Sequence, residues 1–262
     1  GTVVGLAGRD YVLFAADTRL KDEYTISTRN ITRLFEIDDG LLFSGSKCWT
    51  DVLALSKELR NAAMVYEWEH KMKLAILPLS YLLTSKLYNR RFFSYYTFSL
   101  VGGIDSRGTG AVYRYDAVGS SERVAAACSG EGEKMIQPIL DELTNMEEDN
   151  ALWEIAGEGE NAFISTAING IKPQDIGSED EMDKLLGLTE PRINHCVRLD
   201  CEKACEVVVR AFQAAAEREI SVGDGLDVWI LKKNKSLRAM FGTPVDDTNQ
   251  YLIEKRRFTL PS

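Results

Sequence analysis

The chain has 262 residues, of which 45% are hydrophobic and 27% are charged; this composition excludes collagen-like, low-complexity and disordered proteins and fits one large or two small globular domains. The formal net charge is −9 and no stripe of clustered Lys and Arg is present, so nucleic acid is excluded as the main ligand. No apolar run approaches the ~18 residues that a membrane-spanning helix needs, so we expect a soluble protein with no membrane contact.

The first forty residues predict strands that are joined by short turns. Residues 2–8 are small or β-branched, and residues 11–16 form a continuous apolar run. Such a run is typical of a strand that is covered on both faces. The sequence Asp38-Asp39-Gly40 separates two further apolar runs and predicts a hairpin.

Two helices are predicted next, followed by a return to strands. The first helix carries one stripe at helical spacing, made of Leu55, Leu59, Ala62 and Tyr66. The second opens at Pro78, a residue favoured in the first helical turn. Strands are predicted at 97–104, 111–116 and 123–127, and another helix follows the sequence Ser129-Gly130-Glu131-Gly132.

An acidic stretch interrupts the pattern after that helix. From Glu147 to Glu190 there are 12 Asp and Glu residues against two Lys, and no sustained period. We interpret the stretch as a surface insertion, because loops tolerate added length. A solvated loop is the simpler interpretation, and a contact with a neighbouring ring or with a basic regulator is the alternative.

The five cysteines are odd in number and irregularly spaced, which argues against a disulfide framework and favours a reducing compartment. They are Cys48, Cys128, Cys196, Cys201 and Cys205. A metal site built from the last three together with His195 is possible. Cys201 and Cys205, however, share a helical stripe with Val208 and Phe212, which favours buried thiols. We therefore expect no metal and no cofactor.

The predicted order along the chain is strands, two helices, strands, two helices and a final hairpin at 226–241. Runs of strands that alternate with runs of helices indicate an α+β fold with antiparallel sheets. With no internal repeat and no linker, we expect one domain over residues 1–262. It carries the acidic insertion at about 145–196 and a C-terminal tail at about 243–262.

Several motifs resemble, in the same order, those of proteasome beta-type subunits. They are Gly1-Thr2-Val3-Val4, the sequence Ala15-Ala16-Asp17-Thr18-Arg19, the sequence Cys128-Ser129-Gly130-Glu131-Gly132, the pair Glu217-Arg218, Gly223-Asp224-Gly225, and the two long segments 90–96 and 110–120. The resemblance implies the N-terminal nucleophile hydrolase fold, a four-layer αββα sandwich of two antiparallel sheets.

The same resemblance implies partners and a location. The partners would be other beta subunits in a heteroheptameric ring, the subunits of an alpha ring, and the opposite beta ring. The location would be cytoplasmic and nuclear, and the process protein degradation.

The resemblance also raises the question of catalysis. Active members of the family attack with the hydroxyl of an N-terminal threonine, and the free α-amine accepts the proton. Aligning Asp17-Thr18-Arg19 without gaps places Gly1 at the position of this nucleophile. Thr2, exposed by removal of Gly1, would be one residue out of register, and its side chain would point to the opposite face unless a bulge compensated.

Other positions of the family's site also differ here. Arg33 stands where active members carry a lysine, and arginine holds its proton at any working pH. Glu219 and Val222 stand where the family has an aspartate and a serine. Asp17 and Ser129 match the family, but a strand-end turn would also explain Asp17, and an N-cap would also explain Ser129.

Three hypotheses follow for the function. The first is a catalytically silent ring subunit that helps to enclose the proteolytic chamber. It would complete a neighbour's substrate pocket with Asp116 and Ser120, although Asp116 is also explained as a strand end. The second is an active threonine peptidase that uses Thr2. The third, a stand-alone acidic binding protein, is disfavoured by the aromatic residues near Arg91, which indicate an interface.

Overall fold

The computed structural model describes residues 1–22, 25–142, 196–197, 199–233 and 251–261. Its strands are β1 Thr2–Ala7, β2 Tyr11–Asp17, β3 Leu20–Asp22, β4 Thr25–Thr28, β5 Leu34–Asp38, β6 Leu41–Lys47, β7 Thr97–Ile104, β8 Gly110–Tyr115, β9 Ser121–Val124, β10 Ala126–Gly130, β11 Gly225–Lys233 and β12 Tyr251–Thr259. Its helices are α1 Trp49–His70, α2 Ile76–Asn89, α3 over residues 133–142, and α4 Cys201–Ala216.

The strands form two five-stranded antiparallel sheets and one small hairpin. The first sheet has the order β10-β1-β2-β11-β12, the second has the order β5-β6-β7-β8-β9, and β3 pairs with β4 alone. Every pair of neighbouring strands in the two large sheets is antiparallel. The predicted α+β class with antiparallel sheets is confirmed.

The burial of β1 and β2 defines the layers, because every residue of these two strands is buried. Val4 and Leu13 point towards α3 and α4 and share a core cluster with Phe212 of α4. Val3 and Phe14 point the other way and pack with the inner face of the second sheet. This is the strand covered on both faces that the apolar run at 11–16 predicts.

The outer face of the second sheet is covered by α1 and α2. Leu55 and Leu59 of α1 and Leu79 and Leu83 of α2 pack with Phe43 and other residues of that sheet. The layers are therefore helices, sheet, sheet and helices, as in the expected four-layer αββα sandwich. None of the helices within the described ranges is long and apolar enough to cross a membrane.

Two glycines let the sheets approach each other closely. A Cβ added to Gly5 of β1 would lie 2.8 Å from the Phe14 ring, and one added to Gly102 of β7 would lie 2.8 Å from Val12. Real Cβ atoms essentially never come within 3.0 Å of such neighbours. Glycine at these positions therefore gives the aromatic ring of Phe14 its space between the layers.

The structure differs from the predicted elements in several places, and α2, for example, begins at Ile76 rather than at Pro78. The single strand predicted at 123–127 is two strands, because the chain leaves the second sheet after β9 and enters the first sheet at β10. The first strand of the hairpin predicted at 226–241 is β11, and the second lies outside the described residues. Every residue of β11 pairs with β12 at Tyr251–Thr259, which lies inside the stretch predicted as a tail.

The acidic insertion predicted at about 145–196 lies almost wholly outside the described residues. The residues that follow the insertion have defined contacts, however. Val197 forms a parallel bridge with Gly8, and its N–H donates a 2.6 Å hydrogen bond to the carbonyl of Ala7. The Tyr11 hydroxyl donates to the carbonyl of Leu199 at 3.0 Å. The chain is thus anchored to the first sheet immediately before α4 begins.

Candidate functional site

The start of β1 and the end of β2 bring the first sequence-predicted residues together. In the antiparallel register Thr2 pairs with Gly130 of β10, and Val3 pairs with Ala16 of β2. This pairing places Gly1 and Thr2 beside Asp17, the last residue of β2. We call the group formed by Gly1, Asp17 and Arg33 the Gly1 cleft.

Asp17 is completely buried at the base of this cleft. Its Oδ1 accepts a 2.7 Å hydrogen bond from the backbone N–H of Thr2 and lies 3.6 Å from Nε of Arg33. Burial raises the pKa of the Asp17 carboxyl, and the positive charges of the Gly1 amine and of Arg33 oppose that rise. The carboxylate is thus held by backbone and charge rather than exposed to solvent.

Arg33 is the largest of the fully buried side chains. Its Nη2 donates to the carbonyl of Arg19 at 3.0 Å, and its own carbonyl accepts a 2.9 Å hydrogen bond from the Ser44 hydroxyl. Burial lowers the pKa of the guanidinium, and the charge of Asp17 raises it. Arginine nevertheless keeps its proton at neutral pH, so the group is a fixed cation.

The Arg33 guanidinium occupies the space beside Gly1. A Cβ added to Gly1 would overlap its Cζ, Nε and Nη2 atoms. No side chain larger than hydrogen fits at position 1 while Arg33 keeps this conformation. Burial also lowers the pKa of the α-amino group of Gly1.

Thr2 faces away from the cleft and is completely buried. Its Oγ1 accepts a 2.8 Å hydrogen bond from the backbone N–H of Gly132. A Cβ added to Gly132 would lie 3.0 Å from this hydroxyl and 3.1 Å from Val222. The opposite orientations of residues 1 and 2 follow from the alternation of side chains along a strand.

Comparison with known proteins agrees with this fold. The family described as "Proteasome subunit" matches residues 1–157. "Proteasome subunit beta type-1" of Arabidopsis thaliana is 32% identical over 232 residues, covering 88% of this chain and 87% of that protein. The chain belongs to the proteasome beta-subunit family. The protein of the same name from Dictyostelium discoideum is 35% identical over 235 residues, covering 89% of this chain and 82% of that protein.

A third relative carries a different number in its name. "Proteasome subunit beta type-6" of Saccharomyces cerevisiae is 31% identical over 235 residues, covering 89% of this chain and 83% of that protein. The long motifs at 90–96 and 110–120 resemble beta-type subunit 6. Names with type 1 and names with type 6 both occur among the relatives of this beta-type chain.

Ser129 does not cap a helix in this beta-type chain, so the N-cap interpretation is wrong. It lies inside β10, which pairs with β1, whereas α3 begins only at residue 133. The Ser129 side chain is buried, and its hydroxyl lies 2.9 Å from the hydroxyl of Ser46 on β6. The two hydroxyls join the first sheet to the second close to the cleft.

Glu219 and Val222 do not turn polar groups towards Gly1. Oε1 of Glu219 accepts hydrogen bonds from the Ser221 hydroxyl at 2.6 Å and from the Ser221 N–H at 3.2 Å. Val222 is completely buried in the cluster between the first sheet and its helices. These two positions therefore stabilise the turn after α4 and the core.

Lys47 and Glu131 form an ion pair that sequence reasoning missed. Lys47 Nζ lies 2.8 Å from Oε1 of Glu131, and this hydrogen bond lowers the pKa of Glu131. Both charges act on the pKa of the Gly1 amine. The partners are 84 residues apart in the chain, and no motif connects them, so no sequence signal could have found the pair.

The Gly223-Asp224-Gly225 motif has a clear structural role. Asp224 adopts a left-handed conformation with φ of 67°, and its Oδ2 accepts a 2.7 Å hydrogen bond from Nε of Arg19. A Cβ added to Gly223 would lie 2.5 Å from the guanidinium of Arg19. The motif thus ties the start of β11 to the segment that follows Asp17.

Asp116 and Ser120 lie at the turn between β8 and β9, in the second sheet. Oδ1 of Asp116 accepts hydrogen bonds from the N–H groups of Val118 at 3.0 Å and of Ser120 at 2.8 Å. The carboxylate therefore fixes this turn. Ser120 is exposed, and the turn lies against α2, since a Cβ on Gly119 would lie 2.7 Å from the carbonyl of Thr84.

The stripe of the last helix that carries two cysteines is buried and packs against the first sheet. Cys201 and Cys205 lie in α4 within the cluster that covers the first sheet, and burial raises the pKa of both thiols. Within the described ranges, His, Cys, Asp and Glu side chains form no group of three or more placed to hold a metal ion. His195 of the metal-site alternative lies outside those ranges.

Proposed function

We propose that this chain is a catalytically silent beta-ring subunit of a 20S proteasome core particle. It would sit in a heteroheptameric beta ring, in contact with an alpha ring and with the opposite beta ring, and would help to enclose the degradation chamber. The single observation that carries the absence of catalysis is the Arg33 guanidinium, which fills the space that a side chain on residue 1 would need.

The chemistry of the cleft supports this proposal. Nucleophilic attack requires a hydroxyl that reaches the substrate and a nearby base that accepts its proton. Gly1 has no hydroxyl, and the hydroxyl of Thr2 is buried and accepts from Gly132. Arg33 cannot accept a proton because it is already protonated. The polar groups at the start of β1 therefore make contacts with one another and supply neither the nucleophile nor the base.

One observation keeps the peptidase alternative testable. The backbone nitrogen of Thr2, which would become a free amine if Gly1 were removed, lies 2.7 Å from Asp17. Activity would still require the Thr2 side chain to turn towards the substrate, out of the buried position that it shares with Gly132.

The decisive experiment is the intact mass of this chain in the native particle after treatment with a peptide epoxyketone. The reagent requires both a hydroxyl nucleophile and a free α-amine. We expect an unshifted mass that begins at Gly1, beside shifted masses for active sister chains. A mass that begins at Thr2 and carries the adduct would establish the peptidase instead.

The proposal extends to a neighbouring active subunit and to the location of the particle. Asp116 and Ser120 are candidates for completing that neighbour's substrate pocket, because their turn carries a carboxylate and an exposed hydroxyl on a fixed backbone. The particle would work in the cytoplasm and the nucleus. Immunolocalisation of this chain, with an alpha-ring subunit as the reference, tests the location.

A further inference from the structure

An ion pair lies at the mouth of the Gly1 cleft. Asp17 and Arg33 are completely buried, whereas Gly1 is only partly buried, so the cleft reaches the surface at Gly1. The ion pair joins Lys47, the last residue of β6, to Glu131, the residue that follows β10. We call this pair the Lys47–Glu131 strap, because it connects the second sheet to the first.

The segment that carries Glu131 lies directly against Gly1. Gly130, the residue before Glu131, is opposite Thr2 in the pairing of β10 with β1, and a Cβ added to Gly130 would overlap the carbonyl of Gly1. Burial lowers the pKa of the Gly1 amine, and the charges of Glu131 and Lys47 act on the same pKa. Both charges of the strap are therefore beside Gly1.

Lys47 reaches Glu131 from an unusual backbone conformation. Its φ is 70°, in the left-handed region that residues with a Cβ seldom adopt and that persists only where surrounding contacts fix it. The preceding residue, Ser46, points between the sheets, where its hydroxyl lies 2.9 Å from the Ser129 hydroxyl. In a regular strand the next side chain would point to the opposite face. The left-handed turn instead lets Lys47 reach the first sheet on the same side as Ser46.

The strap and the serine contact form two layers at this mouth. Ser46 is completely buried and Ser129 is 2% exposed, whereas the Lys47 side chain is 25% exposed and the Glu131 side chain is 48% exposed. Because Ser46 and Lys47 are adjacent in β6, the buried hydroxyls lie directly inside the ion pair. Opening of the strap would therefore expose Ser129 to solvent while β10 stays paired.

We propose that the Lys47–Glu131 strap closes the mouth of the Gly1 cleft against an extended peptide. This inference deepens the proposed function, on which it rests, because it adds an obstacle that does not depend on the residue at position 1. Arg33 fills the position-1 space from within, and the strap covers the cleft from the surface. A partly exposed ion pair contributes modestly to stability and is screened by salt, so the closure should be reversible and salt-sensitive.

Alkylation of a cysteine at position 129 measures the closure. Ser129→Cys places a thiol inside the strap in the full-length chain, which is studied in the assembly in which it is purified. Cys128 is the internal reference, because it is buried on the opposite face of β10, in the cluster that contains residues of α3 and α4. Mass spectrometry after treatment with iodoacetamide locates the label at position 128 or 129. If Ser129→Cys does not fold, Ser46→Cys probes the same mouth from β6.

Neutral variants of similar size release the strap. We expect Lys47→Met and Glu131→Gln each to raise the rate of labelling at position 129 about two- to fivefold. The double variant should raise it no further, because either change removes the whole interaction. Labelling of Cys128 should stay unchanged. Lys73→Met is the matched control, because it removes an ion pair at the opposite end of β6.

Salt gives a second measurement that leaves the sequence of the strap unchanged. Raising the NaCl concentration to about 1 M, where charges are screened within a few ångströms, should speed labelling at position 129 in the chain with the strap intact. The same salt should leave labelling of the double variant nearly unchanged. Iodoacetamide is uncharged, so salt does not alter its approach to the thiol.

The outcomes separate this inference from the function on which it rests. Equal labelling at position 129 with and without the strap would overturn the closure, and so would an additive rise in the double variant. A parallel rise at Cys128 would also overturn it, because β10 itself would then be opening. None of these results bears on the absence of catalysis, which fails instead if the epoxyketone forms an adduct with this chain.

Discussion

At the start of β1, the Arg33 guanidinium occupies the space that a side chain on residue 1 would need. All of the first four strands lie between these two residues in the chain, yet the two residues share one packing space. The effect of a substitution at one position on the free energy of unfolding should therefore depend on the residue at the other position. This coupling gives a measurable signature that does not depend on any assay of peptidase activity.

We predict that Gly1→Ala destabilises the chain by about 1–3 kcal/mol, because the added methyl group overpacks against Arg33. In an Arg33→Ala background the destabilisation caused by Gly1→Ala should be smaller by at least about 1 kcal/mol. Urea unfolding of the four chains of this double-mutant cycle measures the coupling. Additive effects would show that the guanidinium does not fill the position-1 space.

Asp116 offers a separate test of the neighbour's pocket. Asp116→Ala removes both the charge and the acceptor for the Val118 and Ser120 N–H groups, whereas Asp116→Asn keeps an acceptor. If the charge serves the pocket, both variants should change cleavage of a fluorogenic peptide panel by the neighbouring active subunit. An effect of Ala alone would assign Asp116 to the turn, and unchanged cleavage in both would remove the pocket role.

The position of β12 is supported by charged side chains on both of its faces. Arg257 pairs with Asp227 of β11 through Nε at 2.6 Å and Nη2 at 3.0 Å. On the other face, Arg256 reaches both carboxylate oxygens of Glu202 at the start of α4. The strand is thus held from the sheet on one side and from a helix on the other.

We predict unequal effects for the two arginines. Asp227 is 7% exposed, so Arg257→Ala leaves a buried carboxylate unpaired and should cost about 1–3 kcal/mol. Arg256→Ala should cost less, because its partner Glu202 is an exposed residue. Urea midpoints of the two variants make the comparison, and a larger loss for Arg256→Ala would contradict the burial argument.

For the whole molecule, the acidic insertion accounts for the net charge, since residues 147–190 contribute −10 to a total of −9. Both of its flanks are anchored to the same side of the sandwich. Ile136 and Leu140 of α3 lie in the core beneath the first sheet, and Val197 bridges Gly8. The described fold therefore has its own contacts on either side of the insertion.

We predict that deletion of residues 147–190 leaves incorporation into the particle intact, since those contacts remain and a shorter loop costs less closure entropy. A native gel of core particles from cells that carry the deletion makes the measurement. If incorporation fails, a variant of full length with its 12 carboxylates changed to amides decides between the length and the charge of the segment.

Much of this architecture could be predicted from local patterns. The apolar run at 11–16, the Asp38-Asp39-Gly40 turn and the stripe at Leu55 and Leu59 each depend on residues close together in the chain, where strand and helix periods act directly. The element order then favoured the α+β class. The resemblance of the motifs added the four-layer arrangement, which the layers around β1 and β2 match.

By itself, then, the sequence determined most of the elements, the fold class, the family and the glycine that aligns with the family's nucleophile. Only the tertiary structure decided where distant side chains meet. It placed Arg33 against Gly1, buried the hydroxyl of Thr2, turned Ser129 towards Ser46 and paired β11 with β12. The physical reason is that periodicity fixes which face a residue occupies, whereas packing between layers fixes what that face touches.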